Sequence, residues 1–83
     1  MKVRYFAWVR ERIGRAEEEI SVPPEVASVS DLMAWLAARD EGYAAAFAVP
    51  NVVRAALDRV HVDHATPLKD AREVAFFPPM TGG

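Results

Sequence analysis

The chain contains no cysteine, and that absence excludes disulfide scaffolds, thiolate zinc sites, iron–sulfur clusters and thiol nucleophiles together. It lacks any apolar run near the roughly 18–20 residues that span a bilayer, and Met1-Lys2-Val3-Arg4 opens onto interrupted apolar residues, unlike a signal peptide. No membrane partner is expected, and a cytoplasmic location is. There is no excess of positive charge: 10 Lys+Arg face 12 Asp+Glu, for a net charge of -2. The field that draws a protein to nucleic acid is therefore missing, and no nucleic-acid partner is expected. Lysine is scarce, restricted to Lys2 and Lys69. Length is short as well. Eighty-three residues make one domain. A domain of this size buries only about 60–65% of its unfolded surface, which leaves little room for an enclosed substrate pocket beside the core.

What is present suits a folded globule: 52% hydrophobic and 27% charged residues, with a mean hydropathy of -0.01. Residues 3–10 are rich in β-branched and aromatic types and alternate, which predicts a first strand with Val3, Tyr5, Ala7 and Val9 on one face. Its other face would carry Arg4, Phe6, Trp8 and Arg10, an unusual pairing of large aromatics with arginines. A hairpin loop over residues 11–15 leads to a second strand in which Glu18, Ile20 and Val22 share a face, and Pro23-Pro24 stops it. Ser30 is read as the N-cap of a helix whose stripe is Leu32, Trp35, Leu36 and Arg39, closed by Gly42. Residues 43–47 suggest one further helical turn, ended by Pro50.

Two short strands follow over residues 52–57 and 59–62, with a tight turn near Asp58, and a last strand covers residues 73–77. In that strand Val74 and Phe76 face one way and Phe77 the other. Pro78-Pro79 forbids continuation, so the chain divides into a domain over residues 1–77 and a tail over residues 78–83. One main amphipathic helix on one mixed sheet is a two-layer α+β domain, and the strand order points to a ubiquitin-like β-grasp.

Gly82-Gly83 is the feature that folding explains least. Without Cβ atoms, two successive glycines can lie flat in a channel too narrow for other residues and present a terminal carboxylate to another protein's active site. That carboxylate is ionised near neutral pH and is a poor electrophile, so it needs activation in trans. Nothing in the chain could do this, since it has no glycine-rich phosphate loop with its lysine. Other candidates are weaker. His61 and His64 sit on a short strand and a loop that point them apart, so no metal site is assigned, and Glu17-Glu18-Glu19 is not read as a catalytic carboxylate pair. Arg10, Arg12 and Arg15 are read as solvated and balanced by those glutamates.

Thr66-Pro67-Leu68-Lys69-Asp70 and the ending Phe76-Phe77-Pro78-Pro79-Met80-Thr81-Gly82-Gly83 resemble the small subunits of molybdopterin synthase, the MoaD family of sulfur carriers. Tyr5-Phe6-Ala7-Trp8-Val9-Arg10-Glu11-Arg12-Ile13-Gly14 and Val29-Ser30-Asp31-Leu32 are similar to that family too. The chain departs from the family pattern at Asp58, where Asn is usual, and at Ala71-Arg72-Glu73, where Gly-Asp-Glu is usual; both departures lie in turns.

The resemblance implies that Gly83 is adenylated by an E1-like adenylyltransferase and converted to a thiocarboxylate with sulfur from a donor protein. It implies that Gly82 and Gly83 then deliver this sulfur to cyclic pyranopterin monophosphate. No cofactor is implied on the chain itself, ATP being used by the activating enzyme. The chain would be a non-catalytic subunit, with the active site supplied by the large subunit in a heterotetramer of two small and two large subunits. Phe6, Arg10, Phe77, Pro78, Pro79, Met80 and Thr81 would contact that partner. A ubiquitin-like modifier attached through Gly83, or a sulfur carrier for thiazole or cysteine synthesis, is the alternative. The scarcity of lysine disfavours a modifier that builds chains on itself.

Overall fold

The computed structural model describes residues 1–79 of the 83. Five strands form one mixed sheet: β1 (Lys2–Tyr5), β2 (Glu17–Glu19), β3 (Arg54–Leu57), β4 (Val60–Val62) and β5 (Glu73–Phe77), in the order β2-β1-β5-β3-β4. The central pair, β1 and β5, is parallel, and every other pairing is antiparallel. Three α-helices and one 3-10 turn (Pro50–Val52) accompany the sheet among the described residues: α1 (Ala7–Ile13), α2 (Val29–Ala37) and α3 (Glu41–Ala46). This is the two-layer β-grasp expected from the sequence.

The core lies between the helices and one face of the sheet. Val3 and Tyr5 of β1, Val74 and Phe76 of β5 and Ala55 and Leu57 of β3 meet Val29, Leu32, Met33 and Leu36 of α2. Phe76 is the centre of this layer, stacked 6.4 Å from Tyr5 and edge-on 5.1 Å from Phe47. The alternation in β5 is as read from the sequence, with Val74 and Phe76 fully buried and Phe77 on the opposite face.

The first strand is half the expected length. It ends at Tyr5, and residues 7–13 form α1 instead. Tyr5, Val9 and Ile13 recur every four residues, a helical period that runs beneath the alternation. Val9 is buried, Ile13 packs on the core, and Gly14 closes the helix at φ 89°, donating its N–H to the Arg10 carbonyl over 2.8 Å. The helix therefore replaces the predicted hairpin loop.

Helix α2 begins two residues earlier than expected. Ser28, not Ser30, is the N-cap: its Oγ accepts from the Asp31 N–H over 3.1 Å, and Asp31 accepts from the Ser28 N–H over 3.2 Å. The acid three residues on completes a capping box that Ser30 could not form. Trp35 and Arg39 lie at the rim of the buried stripe, with the Arg39 guanidinium 5.4 Å from the Trp35 ring.

Gly42 does not close α2; it lies inside α3, whose N-cap is Asp40. A Cβ at Gly42 would stand 2.7 Å from the Arg12 carbonyl oxygen, so glycine is there to let α3 pack against the end of α1. The turn between β3 and β4 places Asp58 and Arg59 at φ 47° and 70°. Asp58 then accepts from the backbone N–H groups of Arg72 and Glu73 over 2.9 and 3.0 Å. Positive φ in the following loop falls on Lys69 rather than Ala71, so the Ala71 departure causes no strain there.

Candidate functional site: the end of the central strand

Strand β5 runs through the centre of the sheet and delivers the chain to Pro78 and Pro79. At that end Tyr5 lies beside Phe76, and Phe77 opposite Arg54. The Phe6 N–H continues the pairing by donating to the Phe76 carbonyl over 3.1 Å. The chain then turns sharply: Phe6 is extended, Ala7 takes φ 51°, and α1 begins. A non-glycine residue in the left-handed region is strained, and such strain persists where the surrounding structure demands it. Here the turn leaves the Phe6 ring 40% exposed beside the root of the tail.

The helix-free face of the sheet at this end is aromatic and cationic. The Arg4 guanidinium lies 5.2 Å from the Phe6 ring and 3.8 Å from Glu73, while the His61 ring is 5.2 Å from Phe77. Arg10 stands on the first turn of α1, exposed, its N–H 3.3 Å from the Phe6 carbonyl. Neither Arg10 nor Arg54 takes part in an ion pair among the described residues. Phe6, Arg10, Phe77, Pro78 and Pro79 are thus brought to one end of the fold. Met80, Thr81, Gly82 and Gly83 lie outside the described residues.

The expected single row of Arg4, Phe6, Trp8 and Arg10 is broken by α1. Arg4 lies on β1 and Phe6 is the N-cap of α1, while Trp8 is inside the helix, partly buried against the core with the Arg12 guanidinium 4.5 Å from its ring. His64 is occupied elsewhere, its Nε2 2.7 Å from the Val53 carbonyl oxygen. Among the described residues no group of three His, Asp or Glu side chains is placed to hold a metal ion, and no helix is long and apolar enough to cross a membrane.

Sequence reasoning missed the polar junction that holds this end of β1 in place. Glu18 accepts from the hydroxyls of Tyr5 over 2.8 Å and Tyr43 over 2.5 Å, and from Arg39 and Arg15 over 3.1 and 3.2 Å. It joins β2 to β1, α3 and the segment after α2. The signal was available: Glu18 shares its strand face with Ile20, and a carboxylate on an apolar face requires donors. Burial alone would raise its pKa, but hydrogen bonds from Tyr43, Tyr5 and Arg39 outweigh that and hold the carboxyl below the usual carboxylate range. Burial, followed by the bond to Glu18, pushes the Tyr5 hydroxyl far above its ordinary value.

A depressed carboxylate stabilises the fold at pH above its unfolded value of about 4.3, and that contribution is lost as pH falls through the lower folded value. Denaturant unfolding at stepped pH is expected to show stability falling below about pH 5. Glu18→Gln is expected to reduce that acid slope, and an unchanged slope would remove Glu18 from the account.

Comparison with known proteins agrees with this geometry. Residues 3–83 match the ThiS family. The chain is 37% identical over 83 residues to the molybdopterin synthase sulfur carrier subunit of Escherichia coli K12, covering 100% of this chain and 99% of that protein. Among solved structures it is similar to a Pyrococcus furiosus protein assigned as molybdopterin converting factor subunit 1, with a TM-score of 0.73, 34% identity and 94% of each chain covered. SAMP1 from Haloferax volcanii shares the fold, with a TM-score of 0.71 at 21% identity over 100% of this chain and 98% of that one. Taken with a central strand that ends in Phe77-Pro78-Pro79 and a family match that runs through Gly83, these likenesses establish that the chain belongs to the ThiS family of β-grasp proteins.

Proposed function

We propose that the chain is the sulfur-carrying small subunit of a molybdopterin synthase. The observation that carries this reading is the placement of β5: the central strand of the sheet leads directly to Pro78-Pro79, beside the exposed Phe6 and the partly buried Phe77. The likeness to the E. coli sulfur carrier subunit over the full chain supports it.

The reactive group is the Gly83 carboxylate. An E1-like adenylyltransferase supplies ATP chemistry in trans: a carboxylate oxygen attacks the α-phosphorus and pyrophosphate leaves. A donor protein's persulfide then displaces AMP to form an acyl disulfide. A second thiol attacks the donor sulfur of that S–S bond, releasing the Gly83 thiocarboxylate and leaving a disulfide on the donor side. The chain holds no resident cofactor in this scheme. Its fold acts by position, directing residues 78–83 into the active site of a large subunit, which supplies the catalytic side chains. There sulfur passes to cyclic pyranopterin monophosphate, and water restores the carboxylate. Two large and two small subunits make the assembly, located in the cytoplasm.

Docking energy would come from the aromatic end of the open face, since exposed aromatics that fill a partner's pockets dominate interfaces. Phe6→Ala and Phe77→Ala are each expected to weaken binding to the large subunit by about 30-fold, equivalent to about 2 kcal/mol. Titration calorimetry with purified large subunit checks this. Affinities within twofold of the wild type for both variants would place the interface elsewhere. Reconstitution of precursor conversion with charged carrier and large subunit tests the function itself.

A further inference from the structure

The two edges of the sheet are unlike. At one edge β2 consists of Glu17, Glu18 and Glu19, and charge of this kind discourages another strand from adding. At the other, β4 is Val60-His61-Val62, with Val60 63% exposed. That strand holds no lysine or proline, and among the described residues no helix packs on it.

The hairpin fixes which backbone groups of β4 are free. With Asp58 and Arg59 both at positive φ, the two-residue turn makes Leu57 and Val60 the closing hydrogen-bonded pair. Pairs alternate along an antiparallel ladder, so Ala55 and Val62 are bonded, whereas His61, opposite Ala56, turns its N–H and C=O outward.

We propose that this edge pairs with the same edge of a second copy, antiparallel and centred on His61. The segment Arg59-Val60-His61-Val62-Asp63 is self-complementary in that register. The two His61 residues exchange backbone hydrogen bonds across the two-fold axis, Val60 falls opposite Val62 of the second copy, and Arg59 opposite its Asp63. Opposite charges placed across a strand pair stabilise it, and a two-fold interface repeats each contact. Neither Arg59 nor Asp63 takes part in an ion pair within the described chain. Asp63 Oδ1 is held by the Ala65 N–H and the Thr66 hydroxyl, and Oδ2 faces no such demand.

Two five-stranded sheets would join into one, with both helix-free faces on the same side and the two β5 strands running in opposite directions. Phe6 stays clear, because β3 and β5 separate β4 from β1, while Phe77, its ring 5.2 Å from that of His61, borders the contact on the helix-free face. The contact is small, so the association is weak and concentration-dependent.

Sedimentation equilibrium of the full chain up to about 1 mM, the affinity range of weak contacts, is expected to show the mass rising from 9.2 kDa toward twice that value. Arg59→Asp and Val60→Lys, both at exposed positions, are each expected to weaken the association at least tenfold, with amide NMR spectra confirming the fold. Mixing Arg59→Asp with Asp63→Lys is expected to restore it, since each brings the charge the other lacks. As a second readout, hydrogen exchange at the His61 amide in the wild type should slow as concentration rises. A wild type that stays monomeric, variants that associate as the wild type does, or an edge protected only when a different protein is added would each overturn the proposal.

Discussion

Removal of Gly83 is expected to leave the unfolding midpoint of the chain unchanged while reducing sulfur delivery by at least about a hundredfold. The first half follows from where the core lies: among the described residues the buried side chains run from Val3 to Phe76, and neither Pro78 nor Pro79 is one of them. The second follows from reach. Deleting one residue shortens an extended segment by roughly 3.4 Å, and misplacement of a reacting atom by only about 1 Å can cost 100-fold. The new end would still carry a carboxylate, so the loss isolates position from chemistry. Gly83→Ala is the companion variant, retaining the length but adding a Cβ where a narrow channel would exclude it. Single-turnover sulfur transfer and thermal unfolding, measured on the same samples, separate the two effects. A transfer rate within a few-fold of the wild type after deletion would mean that Gly83 is not the reactive end.

The adjacent phenylalanines are expected to fail in opposite ways. Phe76 is fully buried between Tyr5 and Phe47 on the central strand, and Phe76→Ala removes a large ring from a core with little redundancy. Such truncations cost about 3–5 kcal/mol, against a total of about 4–12 kcal/mol for a chain of this length. The midpoint is expected to fall by about 15–30 °C, and part of the population to be unfolded at 25 °C. Phe77 projects from the other face, where it is only partly buried, beside His61. Phe77→Ala is expected to cost less than about 1 kcal/mol of stability while losing partner affinity. Denaturant titration of both variants checks the contrast, and equal destabilisation would show that the open face is a second core rather than a docking surface.

Much of the fold could be read because alternation and turn chemistry agree in its second half. The faces of Val74, Phe76 and Phe77, the turn at Asp58 and the stop at Pro78 all follow from local pattern. The first half misled where two periods coincide. Val3, Tyr5 and Val9 alternate like a strand, yet Tyr5, Val9 and Ile13 also recur every four residues, and packing of α1 against α3 through Gly42 decides between them. The N-cap went to Ser28 because Asp31 can complete a reciprocal pair with it alone.

For the site, Phe6 and Arg10 were legible as part of an unusual aromatic and cationic face, and Phe77 through the family resemblance. Their gathering at one end was not, because it depends on the parallel pairing of the first and last strands. Glu18 escaped notice for a related reason: its four donors come from Arg15, Tyr5, Arg39 and Tyr43, spread across the fold.

The central claim is that this chain carries sulfur on its own terminal carboxyl group, without any cysteine. Incubation with ATP, an E1-like activating enzyme and a sulfur source, followed by mass spectrometry of the C-terminal peptide, tests it most directly. The account predicts sulfur in place of one oxygen at Gly83, reactive toward an alkylating reagent and absent when ATP is omitted. A C-terminal peptide that keeps its carboxylate under these conditions, while an authentic carrier in the same mixture is converted, would contradict it.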